Sequence, residues 1–214
     1  MVSNPKPFLQ ALQKVVSGKW DFRRPDEQGN AGLIAREKKV MGVNYVLQRA
    51  KKLFSGYTIV DEAISSSLLV RKNMGYSGKS YFTAKSGQLG WGLPAAAGIS
   101  MLKDKVLEIV GDGSLMYTVQ TLWTIARYKL PVKVLVLNNE GYTILKSFSS
   151  SFYPGVEKSD FLTFSYNITE TAKSLGIEAR IADPELKEME WLAQGNEARL
   201  LVANVPKAVP RLFI

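Results

Sequence analysis

Asp112 and Asn139 are the residues of this chain whose types and placement most directly suggest chemistry. Each follows a short apolar run. Val106-Leu107-Glu108-Ile109-Val110 leads into Gly111-Asp112-Gly113-Ser114, and Val132-Lys133-Val134-Leu135-Val136-Leu137 leads into Asn138-Asn139. Runs of this length and composition predict buried strands. Between them, Tyr117 to Tyr128 carries helical periodicity, with Val119, Leu122, Trp123 and Ala126 on one face. A strand, a crossover helix and a second parallel strand bring both strand ends to one edge of a sheet, where open α/β sheets bind ligands. A carboxylate and a carboxamide oxygen, with the Gly141 carbonyl just beyond, make an oxygen donor set suited to Mg²⁺. That ion prefers octahedral oxygen coordination and shares itself with phosphates. Gly113 leaves room for a phosphate to approach the backbone. Ser114 adds a hydroxyl at a predicted helix N-terminus, where free amides and the helix dipole favour anions.

The remaining elements extend the same pattern. Tyr57-Thr58-Ile59-Val60 reads as a strand ending at Asp61-Glu62, followed by Ala63-Ile64-Ser65-Ser66-Ser67. Ile168–Leu175 and Pro184–Leu192 read as helices, and Ile177–Ile181 and Leu200–Val205 as strands. The expected fold class is α/β, a three-layer, doubly wound, mostly parallel sheet. Residues 1–40 carry a short amphipathic helix at Phe8–Leu12 and a polar, charged stretch, and form a separate N-terminal piece. Residues 41–214 form the domain that holds the motifs.

Composition narrows the function classes. With 46% hydrophobic residues in 214, the chain can bury a core. It lacks cysteine, which excludes disulfides, thiolate zinc sites and iron–sulfur clusters built from this chain. It also lacks histidine, which excludes a Ser-His-Asp hydrolase and removes the commonest general base. The net charge of +9 is spread through mixed segments such as Arg36-Glu37-Lys38-Lys39, and no arginine-rich or aromatic-interleaved tract marks a nucleic-acid site. No apolar run approaches a membrane span, and Met1–Lys6 lacks a secretory pattern. The expectation is a cytoplasmic protein with neither nucleic-acid nor membrane partners.

The span from Gly111-Asp112-Gly113 to Asn138-Asn139 resembles the cofactor motif of thiamine diphosphate enzymes. Gly87-Gln88-Leu89-Gly90-Trp91-Gly92-Leu93-Pro94-Ala95-Ala96-Ala97-Gly98 is similar to the segment before that motif in acetolactate synthases and benzoylformate decarboxylases. Asn138-Asn139-Glu140-Gly141-Tyr142-Thr143-Ile144 looks like the pyruvate decarboxylase version. Three linked segments in order make the match specific, and it covers the diphosphate-binding domain alone. Residues 1–40 resemble the tail of a middle domain and its linker.

The resemblance implies thiamine diphosphate and Mg²⁺ as cofactors, with Asp112, Asn139 and Gly141 on the metal. Ser65, Ser66, Gly111, Gly113, Ser114, Tyr142 and Ile144 join Gly87 and Leu89 around the cofactor. The Gly87 carbonyl would accept from the aminopyrimidine, and Leu89 would wedge between the two rings; these two are the residues expected to carry catalysis. The implied activity is decarboxylation or carboligation of a 2-oxo acid, as a lyase or transferase within a larger complex. Two departures stand out. The family's activating glutamate belongs to a pyrimidine-binding domain that residues 1–40 are too few to form, which implies that a partner chain or a missing N-terminal portion supplies it, with a homo-oligomer, a pyrimidine-domain partner chain or both as the expected assembly. Leu145 stands where pyruvate decarboxylases carry a catalytic glutamate, which favours the synthase or benzoylformate decarboxylase pattern. A catalytically silent binding module and a subunit of a 2-oxo-acid oxidoreductase are the alternatives.

Overall fold

The computed structural model describes residues 41–75, 79–158, 160 and 162–207. The expected N-terminal piece, residues 1–40 with the Phe8–Leu12 helix, lies outside the described residues.

Among the described residues, six strands form one sheet in the order β2-β1-β3-β4-β6-β5, and every neighbouring pair is parallel. The strands are β1 (Thr58–Glu62), β2 (Tyr81–Thr83), β3 (Val106–Gly111), β4 (Val132–Asn138), β5 (Glu178–Ile181) and β6 (Arg199–Asn204). The expected mostly parallel sheet is therefore wholly parallel among the described residues. The central strands β1, β3 and β4 are buried along almost their whole length, as a sheet covered on both faces requires.

Alternation along the strands sorts the core into two layers. Ile59, Leu107, Ile109, Leu135, Leu137 and Leu201 face one side. There they pack with α1 (Val43–Leu53), α2 (Ser67–Met74) and α8 (Glu188–Ala193), through Val46, Leu47, Val70, Met189 and Leu192. Val60, Val106, Val110, Val134, Val136 and Leu200 face the other side. That side is covered by α3 (Gly92–Ser100), α4 (Asp112–Thr118), α5 (Thr121–Arg127) and α7 (Ile168–Ser174). α6 (Thr143–Ser150) follows the Asn139 loop. Lys133 is an exception to the apolar pattern: its buried ammonium donates to the Gln194 and Glu197 carbonyls at 2.9 and 2.6 Å. Burial lowers its pKa to about 8.

The single helix expected over Tyr117–Tyr128 is instead two short ones. Leu122 N–H donates to Val119 and Trp123 N–H to Gln120, three-residue steps that reset the helix between α4 and α5. The β-branched Thr118, Val119 and Thr121 at this junction are weak helix formers. The reset turns Leu122 and Ile125 inward and leaves Trp123 56% exposed, so Trp123 does not share the buried face.

Candidate functional site

Parallel pairing sets the site. Gly111 at the end of β3 pairs with Leu137 of β4, so Asp112 and Asn139 leave the same sheet edge side by side. Asp112 is 2% exposed. Its Oδ1 accepts from the Asn139 amide at 3.4 Å and its Oδ2 from the Gly141 amide at 3.2 Å. Burial pushes the carboxyl up to about 6, against the lowering effect of those amides. The Asn139 side-chain oxygen is buried and has no hydrogen-bond partner. Such a group costs stability unless something else satisfies it.

The turn after β1 is held by Asp61 rather than by its serines. Asp61 Oδ1 accepts from the Ala63 amide at 2.9 Å and from the Ser67 hydroxyl at 3.1 Å. Its Oδ2 accepts from the Tyr81 hydroxyl at 2.5 Å. Burial raises the Asp61 carboxyl, and burial together with Asp61 raises the Tyr81 phenol. This clamp fixes a turn in which Ile64 has φ +35°, an unfavourable conformation for a β-branched residue.

Glu62 holds the third loop. Its carboxylate accepts from the amides of Gly90, Trp91 and Gly92 at 2.7, 3.1 and 2.6 Å, at the start of α3. Gly90 has φ +93°, and a Cβ there would lie 2.8 Å from the Tyr117 Cβ, so this turn is specific to glycine. Its neighbour Leu89 reaches the cleft formed by the other two loops.

That cleft holds about 310 Å³ of space open to solvent. Its walls include the expected Ser65, Leu89, Gly111, Asp112, Gly113, Ser114, Asn139, Gly141, Tyr142 and Ile144. Ser66 and Gly87 are outside this lining, while Ala63, Ile64 and Thr143 complete it. The two motif glycines differ in their surroundings. Gly113 lines the cleft with the Tyr142 ring beside it, whose Cε1 lies 2.8 Å from where a Cβ would stand. Gly111 also lines it, and a Cβ there would meet nothing within 4 Å. Tyr142 packs against Phe164 with the ring centroids 4.8 Å apart and the planes tilted by 48°, and the Tyr166 hydroxyl donates to the Asp112 carbonyl at 3.3 Å. Sequence reasoning missed the Asp61 and Glu62 clamps and this aromatic wall. The adjacent acids at a strand end were the available signal for the clamps; nothing local marked Phe164 and Tyr166.

The donor set fits a hard cation. Asp112 offers a buried carboxyl, and Asn139 offers an oxygen that lacks a partner. Among the described residues no three Asp, Glu, His or Cys side chains gather at a metal-sized site. One carboxylate and one carboxamide leave most of an octahedral shell to other oxygens, such as those of a diphosphate. No described helix is long and apolar enough to cross a membrane.

Comparison with known proteins identifies the family and supports the fold. The family described as "Thiamine pyrophosphate enzyme, C-terminal TPP binding domain" matches residues 66–198. The acetolactate synthase large subunit of Parasynechococcus marenigrum is 36% identical over 115 residues, 52% of this chain and 19% of that protein. The benzoylformate decarboxylase of Pseudomonas aeruginosa is 40% identical over 72 residues, 33% of this chain and 14% of that protein. Among solved structures, benzoylformate decarboxylase from Polynucleobacter necessarius superposes with a TM-score of 0.72 at 26% identity, covering 79% of this chain and 34% of that one. The chain spans about a fifth of the length of the curated relatives it matches.

Proposed function

The chain belongs to the thiamine pyrophosphate enzymes as a C-terminal cofactor-binding domain, and on that footing we propose that its cleft binds the diphosphate through Mg²⁺ in an enzyme that decarboxylates or carboligates 2-oxo acids. The observation that carries the metal half is the partnerless Asn139 oxygen beside the buried Asp112 carboxyl. Asp112, Asn139 and the Gly141 carbonyl would hold the cation, and the open backbone at Gly111 with the Ser114 hydroxyl would meet the diphosphate. Thiamine diphosphate, when bound, supplies the nucleophilic carbon and the electron sink for cleavage next to a keto group.

The protein's own contribution is placement. Asp61 fixes the Ser65 turn, Glu62 fixes the turn that carries Leu89, and the β3–β4 pairing fixes the metal ligands relative to both. Leu89 presents a branched apolar side chain to the cleft, suited to holding two rings at a set angle. Neither nearby acid is free to act as the activating carboxylate, since Glu62 accepts three amides and Glu140 pairs with Lys207. This supports a pyrimidine-domain surface outside these residues, from a partner chain or a further portion of the same protein, as the source of that group. The same observation favours a silent binding module as the second reading.

Isothermal titration tests the assignment. The parent should bind thiamine diphosphate only with Mg²⁺ present, and Asp112→Ala should show no Mg²⁺-dependent binding while retaining its circular dichroism spectrum. Equal affinity in Asp112→Ala would remove the metal assignment.

A further inference from the structure

Glu108 is fully buried in the middle of β3, on the face otherwise formed by Val60, Val106, Val110 and Val134, and neither of its carboxyl oxygens has a hydrogen-bond partner. A carboxyl in an apolar layer is costly, and more so when ionised. Its position is specific. A Cβ built on Gly92 would lie 2.7 Å from Glu108 Oε1 and 2.8 Å from Glu62 Oε2. The two acids therefore converge over the same glycine at the start of α3, and Glu62 already accepts the amides of Gly90, Trp91 and Gly92 there.

We propose that Glu62 and Glu108 form a one-proton acid pair that positions the Leu89 turn, with Glu62 holding the three amides as a carboxylate and Glu108 standing beneath it as the neutral acid. Two carboxylates this close in a site without solvent repel one another, so a single proton is the stable occupancy. The surroundings support this assignment. β1 brings Glu62 against Glu108 and β4 brings Val134, while α3 has no titratable side chain. Burial, followed by the Glu62 charge, raises the Glu108 carboxyl well above the ordinary glutamate value. Loss of that proton would set like charges against each other and loosen Glu62's hold on the amides beside Leu89. The positioning role rests on the cofactor reading of the cleft; the proton itself does not.

The sign of the pH effect follows from the raised value. The unfolded chain releases this proton near the ordinary glutamate value of 4.5, whereas the folded chain keeps it. Stability is therefore full below that value and falls as pH rises towards the folded value, the folded-to-unfolded ratio dropping about tenfold per pH unit. Glu108→Gln, a neutral isostere, removes this term. Urea unfolding of the parent and of E108Q between about pH 5 and about pH 8, without cofactor, should show E108Q gaining on the parent by about tenfold in that ratio per unit. Parallel curves would overturn the one-proton pair. Amide exchange tests the positioning. Glu62→Gln should speed exchange at Gly90 and Gly92 by at least about tenfold with β3 amides unchanged, since an amide side chain presents a donor to the backbone N–H groups. Unchanged exchange would overturn that role. Should E62Q not fold, the comparison of parent with E108Q at the same amides decides: the parent must exchange faster than E108Q at the alkaline end, and equal rates would overturn the proposal. Neither measurement uses thiamine diphosphate, so failure here is distinct from failure of the titration with Asp112→Ala.

Discussion

Gly92→Ala offers a sharp check of the packing under the site. The position opens α3, and its backbone needs no left-handed angle, so alanine should gain about 0.8–1 kcal/mol from helix propensity. Against that gain, the new methyl would stand 2.9 Å from the Glu62 Cβ as well as within 2.8 Å of both carboxyls. The Glu62 Cβ is fixed by β1, and the Glu108 carboxyl is enclosed, so neither yields freely. Overpacking of this kind costs about 1–3 kcal/mol. Displacing the Glu62 carboxylate from even one amide costs about 1.5–3 kcal/mol more. The net expectation is a destabilisation of about 2–4 kcal/mol, a fall in Tm of roughly 5 to 15 °C for a chain of this size. Gly98→Ala is the control: it lies on the same helix, is exposed, and a Cβ there meets nothing within 4 Å. It should stabilise by about 0.5–1 kcal/mol. Urea and thermal unfolding followed by circular dichroism read both. If Gly92→Ala proves as stable as the parent, the two acids do not occupy the space above Gly92 and the argument fails.

Further outcomes follow from the cleft. Leu89→Ala should leave the titrated affinity for thiamine diphosphate and Mg²⁺ nearly unchanged while turnover of a reconstituted complex falls by about 100-fold, because misplacing a reacting group by an ångström costs about that much. Equal losses in both would refute the wedge. The 214-residue chain assayed alone with thiamine diphosphate and Mg²⁺ should not turn over pyruvate or benzoylformate. Robust turnover would mean that Glu62 or Glu140 had left its present partners to serve as the activating acid.

Much of this architecture could be read in the sequence because a parallel sheet writes itself plainly. β3 and β4 are apolar runs each broken by a single charged residue, Glu108 and Lys133, and their ends carry unusual residues, so Asp112 and Asn139 could be paired from spacing alone. The helix between them was harder. Its break at Val119–Gln120 falls among the β-branched Thr118, Val119 and Thr121, a signal that apolar periodicity alone does not register. The Tyr142 ring beside Gly113 was out of reach of local patterning, since it comes from across the loop. Asp61, Glu62 and Glu108 were legible as residues but not as a system. Their partners are backbone amides, a phenol and each other, brought together only when β1, β2 and β3 align.

The sheet also has consequences for how the chain reaches this state. Val106 pairs with Val132, Ile59 with Tyr81 and Glu178 with Arg199, each across one short crossover. Thr58 must find Val106, and Lys133 must find Arg199, across much longer stretches. Loop-closure entropy and contact order make those two seams the late and slow steps of assembly. Asp112 and Asn139 sit within a local piece, whereas Ser65 and Leu89 reach them only when the β1–β3 seam closes. A ligand that touches both sides of the cleft would then act as a clasp on that seam, slowing its opening more than any other motion of the domain.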